Sequence, residues 1–230
     1  MKKPHGRQTK KKVGRILAEH HRKTAMHQLE QIPDAQLVGH LFTYLYHMDP
    51  KIKFRSITAM GCLVARMAEH KMESARNVLR RIIWNLNDES GGIGWGSAEA
   101  MGEILSLNPS LADEFSSILL SYLDPRANFI EHEGLQQGIL WGIGTLAGQF
   151  PDRLTPETRT LLYGYLRSVD PIKRGYAVRA LIQAAAFDCR LVPEAIFTDQ
   201  EQIEIFTGWH FVSTRISDMA LACESAEKTV

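Results

Sequence analysis

Along most of this chain, apolar positions recur three and four residues apart, stop at an aspartate, and begin again. "LVGHLFTYLYHMDP" ends at Asp49-Pro50, "SSILLSYLDP" at Asp124-Pro125 and "TLLYGYLRSVDP" at Asp170-Pro171. Leu37, Leu41, Tyr44 and Leu45 mark the apolar face of the first run. Ile118, Leu119, Tyr122 and Leu123 mark the second, and Leu161, Leu162, Tyr165 and Leu166 the third. This is the spacing of amphipathic helices. An aspartate accepts hydrogen bonds from the free N–H groups of a following helix, and a proline in its first turn needs no donor partner. Each Asp-Pro step therefore predicts a short connection between two helices. Asn87-Asp88 is a fourth junction of the same kind, giving spacings of 39, 36 and 46 residues (49 to 88, 88 to 124, 124 to 170). That is the period of stacked helical hairpins.

The helix after each junction carries small residues at matching places: Ala59 and Gly61, Ala100 and Gly102, Gly142 and Gly144, Ala177 and Ala180. Glycine inside a soluble helix costs about 1 kcal/mol relative to alanine. Its repetition at one position predicts close approach of neighbouring helices. The pattern "L..YL.D…R..A..ALG" resembles HEAT repeats, including the HEAT-like repeats named after phycobilisome lyases. The resemblance covers about residues 35–187 in four degenerate copies and implies an all-α fold, a short alpha-alpha superhelix of about four helical hairpins. The expected division is a basic flexible arm over 1–12, an N-terminal helix over 13–34, HEAT-like repeats over 35–190, and a cap over 199–225. That cap should be a small β-hairpin plus a helix. "QIEIFTGWHFVSTRI" alternates, is rich in β-branched and aromatic residues, and has Thr207-Gly208 midway, whereas "SDMALACESA" reads as helical.

The two central repeats lengthen the segment between the junction and the small-residue position. Insertions at equivalent places in a stack line one face. The second repeat contributes Trp84, Asn87, Asp88, Glu89, Trp95, Glu99 and Glu103, within and beside "NLNDESGGIGWGSAEAMGE". The third contributes Glu131, His132, Gln137 and Trp141. Glu99 and Glu103 are four apart and share a helix face, as do Gln137 and Trp141. These residues are the candidate binding set, in an acidic, tryptophan-containing groove. Carboxylates beside tryptophan suit a cation, an amine or a basic peptide. The glycine-rich stretch reads either as a ligand or partner loop or as a wide turn with Trp95 packed between repeats. Whether Trp95 and Trp141 are surface or core is open at this level.

Composition narrows the chemistry. The chain is 44% hydrophobic and 23% charged, with a formal net charge of +1. That near-neutrality conceals an asymmetry: residues 1–23 hold nine lysines and arginines against Glu19 alone, so the rest carries a net −7. A basic segment of this kind can grip nucleic acid phosphates weakly through the arm, or rest on the acidic body. No apolar run is long enough for a membrane span. The three cysteines lack close spacing, which points to reduced thiols and, with no leader-like apolar stretch, to the cytoplasm. No phosphate-loop, dinucleotide or nucleophile-elbow motif is present, and "GGIGWG" follows no strand. No catalytic residue, cofactor or metal site is expected. His132-Glu133 resembles one of the His-Glu pairs of deoxyhypusine hydroxylase, but the equivalent pairs in the other repeats are missing. Trp84, Trp95 and Trp141 with Asp88 invite comparison with HEAT-like alkylpurine DNA glycosylases, whose groove is basic where this one is acidic. The leading expectation is a binding or scaffold module for a protein segment or a small cationic or amide ligand. An enzyme on a HEAT-like scaffold, DNA-glycosylase-like or metal-dependent, is the alternative.

Overall fold

The computed structural model describes residues 6–88 and 94–227, with side chains described to 223. Three helices open the chain: α1 (Gly6–Leu17), α2 (Arg22–Glu30) and α3 (Asp34–Tyr44). Next come α4 (Pro50–Asn87), α5 (Ser97–Leu107), α6 (Pro109–Ser121), α7 (Glu133–Ala147), α8 (Pro156–Tyr165) and α9 (Pro171–Gln183). A single-turn α10 (Glu194–Phe197) leads to the antiparallel strands β1 (Gln202–Thr207) and β2 (His210–Arg215), and α11 (Ile216–Glu227) ends the described chain.

α4 is two helices in one. Lys71 leaves helical geometry, with φ −146° and ψ 62°, and divides it. The four hairpins are then α3 with residues 50–70, residues 72–87 with α5, α6 with α7, and α8 with α9. They join at the four junctions the sequence marks. Asp49 accepts from Lys51 N at 2.9 Å and Asp170 from Ile172 N at 2.9 Å, each followed by the first-turn proline. The third junction departs from that scheme. Asp124 accepts from Arg126 N at 2.9 Å within a turn, and α7 begins only at Glu133. The longer connections fall in the two central repeats.

The second helices of the hairpins form an inner row in which the first half of α4 packs on α5, α5 on α7 and α7 on α9. The small residues sit at these contacts. A Cβ on Gly102 would collide with the Gly142 backbone, and one on Gly61 would lie 2.9 Å from the Glu103 side chain. One on Gly144 would lie 3.2 Å from Ala180. Close backbone approach, rather than helix propensity, explains these glycines. On the outer side, Arg76 in α4 donates to both carboxylate oxygens of Glu114 in α6, at 2.8 and 2.6 Å.

Two expectations need correction. Residues 6–12, taken from their charge as part of a flexible arm, are the first turns of α1. Thr9, Val13, Ile16 and Leu17 are buried on one helix face, and the Tyr44 hydroxyl donates to the Lys10 carbonyl at 2.8 Å. Residues 1–5 lie outside the described residues. The single helix expected over 13–34 is also divided between α1 and α2.

The hairpin does more than cover the last repeat; it crosses the inner row. Ile203 occupies the space a side chain at Gly175 of α9 would need, and the Tyr176 hydroxyl donates to the Glu204 carbonyl at 3.3 Å. Phe206 and Phe211 pack on Phe54 of α4, with ring centroids 5.3 and 5.2 Å away. At the turn, Arg55 donates to the Trp209 carbonyl at 3.1 Å and to the Leu17 carbonyl at 2.9 Å. The Trp209 indole N–H donates to the Glu19 carbonyl at 2.9 Å. β1 and β2 thus tie the fourth repeat to the first and to the α1–α2 connection.

Candidate functional site

The candidate residues divide between the packed interior and one edge of the stack. Trp141 on α7 is 1% exposed. Its ring meets Phe54 edge-on at 5.0 Å and Tyr176 at 5.2 Å, and the Arg179 guanidinium lies 4.0 Å from its centroid. Trp141 is therefore core, not groove wall. Burial lowers the Arg179 pKa to about 10, with the charge of Glu103 partly opposing that shift.

Glu99 and Glu103 also point inward. Glu99 is 4% exposed and pairs with Lys53 Nζ at 2.8 Å, over the gap left by Gly138. Glu103 is half-buried beside Gly61; burial raises its pKa, and Arg179 and Arg22 pull it back in part. Gln137 donates to Asp170 Oδ2 at 2.8 Å, which ties the third repeat to the fourth junction. These three residues hold repeats together. Four-residue spacing correctly placed Glu99 and Glu103 on one helix, but that face meets its neighbours rather than water.

Asn87, Asp88, Glu131 and His132 do come together. Residues 85–88 and Gly94 face residues 127–132 and Leu135 across an edge cleft of about 640 Å³. The end of α4 forms one wall and the long connection into α7 the other. The second wall is fixed from below. Ile130 N donates to the Tyr122 carbonyl at 3.2 Å, Asn128 Nδ2 to Ser121 Oγ at 3.0 Å, and Gln136 Nε2 to the Ile130 carbonyl at 3.0 Å. Lys173, itself buried, donates to Gln136 Oε1 at 2.6 Å and pairs with Glu133. Asn87 Nδ2 reaches the buried Tyr122 hydroxyl at 3.4 Å, and burial raises the pKa of that phenol.

Trp95 stands at the rim. It is 36% exposed, with His132 edge-on at 5.2 Å and its ring over Gly134, where a Cβ would come within 2.5 Å. Gly96 behind it has φ 73°, a left-handed conformation that suits glycine and turns the chain into α5. Trp84 is 71% exposed on the last turns of α4. Tyr46 and Met48, in the neighbouring turn of the first repeat, are also exposed. The sequence reading passed over both, because the apolar run leading to Asp49 reads as one buried face. Glu89 lies outside the described residues.

Among the described residues, the lining includes no lysine or arginine. Arg126, nearest in sequence, is turned back onto Asp124 at 3.0 Å. Asp88 and Glu131 are the carboxylates of the described lining, with Asn85, Asn87 and Asn128 supplying amide donors and acceptors. Among the described residues, no three His, Cys, Asp or Glu side chains converge as a metal-binding group, and no helix is long and apolar enough to cross a membrane.

No known family's sequence profile matches the chain. A protein of Archaeoglobus fulgidus, described only as uncharacterized, is 27% identical over 191 residues, covering 83% of this chain and 95% of its own. Among solved structures, the chain is similar to a computationally designed armadillo repeat protein for modular peptide recognition. There the identity is 14%, the coverage 94% of this chain and 98% of that one, and the TM-score 0.49. A designed armadillo repeat protein in complex with the peptide (KR)4 gives 16% identity, 94% and 90% coverage and a TM-score of 0.44. The helical-repeat architecture of this chain rests on its own four hairpins and the small-residue contacts between them.

Proposed function

We propose that this chain is a helical-repeat binding module whose edge cleft, between the second and third repeats, receives a cationic protein segment or a small amine- or amide-bearing ligand. The observation that carries the reading is the cleft itself: an open concavity with carboxylates and amides in its lining, no lysine or arginine there among the described residues, and Trp95 at its rim. An indole face next to carboxylates favours a cation, by about 0.5–2 kcal/mol for the ring contribution. β1 and β2 cross the inner row, and the edge cleft stays open beside it. The exposed aromatics Trp84 and Tyr46 extend that surface beyond the cleft, in keeping with the aromatic enrichment of interfaces.

The test is a fluorescence titration of the full chain with labelled decapeptides that differ only in carrying lysine, glutamine or glutamate. Lysine peptides should bind best and weaken with salt. Asp88→Asn with Glu131→Gln should weaken them by about tenfold or more, as expected for loss of partly desolvated charge contacts. Equal affinity for glutamate peptides, or binding unchanged in the double variant, would overturn the assignment.

A further inference from the structure

Away from that cleft, α1 presents a different surface. Arg7, Lys11 and Arg15 lie four apart on its outer face, and Lys10 and Lys12 stand about 100° to either side of that row, as 3.6 residues per turn requires. All five are exposed, while Thr9, Val13, Ile16 and Leu17 are buried on the opposite face. Among the described residues none of the five enters an ion pair. Glu19, the one acid of the segment, instead accepts from the backbone N–H of His20 at 2.9 Å. The basic helix therefore does not rest on the acidic body through these side chains.

The shape around α1 matters as much as its charge. An open cleft runs along each flank. The one toward Tyr44 and His47 measures about 760 Å³, and the one toward Gln31 and Gln36 about 550 Å³. Lys11 and Arg15 line both. α1 is thus a ridge between two troughs, with cations on its crest and on both slopes. Among the described residues, Asp49 is the one carboxylate lining either trough, and it is engaged in capping α4.

We infer that α1 is a docking ridge for duplex DNA, lying in the major groove with Arg7, Lys11 and Arg15 toward its floor and Lys10 and Lys12 toward the two phosphate backbones. A flat anionic surface would engage the crest alone and leave one slope or the other unused. A groove walled by phosphates on both sides engages all three rows. The B-form major groove, about 12 Å wide, admits a helix, whereas the A-form major groove of RNA is too deep and narrow for side chains to enter. Insertion into a lipid surface requires an apolar helix face, and that of α1 is already buried against the protein. The two troughs leave room for the backbones that border the groove.

The test is fluorescence anisotropy of the full chain with a labelled 20-base-pair DNA duplex of mixed sequence, between 20 and 200 mM salt. Two phosphates neutralised by Lys10 and Lys12, rising to five if the three crest cations also displace counterions, predict a log–log salt slope of about −2 to −4.5. Replacing Lys10, Lys11 and Lys12 by glutamine should weaken binding about 30-fold or more at 50 mM salt and flatten the slope by about 2–3. The matching Lys→Arg triple should retain it. Arg167→Gln, which removes an exposed cation from the connection after α8, should have no effect. Thermal melting of each variant keeps loss of binding separate from loss of fold. The inference is overturned if the duplex fails to bind at 20 mM salt, if the glutamine triple binds as the native chain does, or if single-stranded DNA or duplex RNA binds equally well. Binding to anionic vesicles with none to DNA would overturn it too.

Discussion

Trp95, in the connection before α5, and Trp141, inside α7, belong to the two central repeats, yet their surroundings assign them opposite work. Trp141 is enclosed by Phe54, Tyr176 and Arg179, whereas Trp95 lies on the backbone of Gly134 with one side in water. Trp141→Ala should cost about 3–5 kcal/mol in urea unfolding, the usual range for emptying a large aromatic site. Trp95→Ala should cost about 1 kcal/mol, closer to a surface change. Equal losses would mean that Trp95 is also structural. Glu103 supplies a test of sign. Burial raises its carboxyl pKa above the ordinary 4.5. A raised folded pKa means that the native state binds the proton more tightly, so this group adds stability as pH falls through its folded value and reaches a plateau below 4.5. Glutamine imitates the protonated form. Glu103→Gln should therefore be more stable than the native chain at pH 7 and match it near pH 4, as read from urea midpoints at the two pH values. An advantage of equal size at both would show that the gain is packing, not charge.

Elements differ in how far the sequence reveals them, and the difference follows the range of the interactions involved. The Asp-Pro junctions and the glycine positions are local signals, since a cap and a close helix contact each demand a residue type at a set place. They locate four hairpins and the lengthened central connections. Strand alternation likewise exposes the β-hairpin, although its turn is Gly208-Trp209, with φ 57° and 97°, one residue beyond the expected centre. Its destination was not legible, because Trp209 meets Glu19 across 190 positions of sequence and no periodicity encodes such a meeting. In the candidate site, Asn87, Asp88, Glu131 and His132 could be found because loop lengthening put them on one edge. Glu99 and Trp141 were misplaced because helix spacing says which residues share a face but not what that face meets. α1 was hidden for another reason: its charge suggests a solvated arm, while only four residues make its apolar seam. Deleting residues 1–12 should accordingly lower the melting temperature by several degrees, through loss of Thr9 burial, the Tyr44–Lys10 hydrogen bond and the first turns of the helix. An unchanged melting temperature would show that this part of α1 contributes nothing to stability.

At the scale of the whole molecule, a stack of helical hairpins has a weakness that this chain counters. Each repeat touches only its neighbours, so the end units are held on one side and open first. Here β1 and β2 cross the inner row and bring the two ends into contact. Arg55 bonds to Leu17 and Trp209, Trp209 bonds to Glu19, and Phe54 packs against Phe206 and Phe211. Trp209 holds its turn at φ 97°, a conformation that is strained for a bulky residue, and its near-complete burial offsets that strain. If this contact closes the stack, weakening it must loosen both ends together. Trp209→Gly relieves the backbone strain while removing the indole, so the pattern of loosening along the chain, rather than the total loss, reports on the side chain. In native-state hydrogen exchange the variant should expose the amides of α1 and α2 along with those of β1, β2 and α11, whereas α5 and α7 in the middle of the row keep their protection. Faster exchange confined to β1, β2 and α11, with α1 and α2 unchanged, would reduce the hairpin to a cover for the fourth repeat. Parallel loosening of the two ends would establish that the chain folds as a closed stack, in which a segment near the C-terminus governs the stability of the first helices.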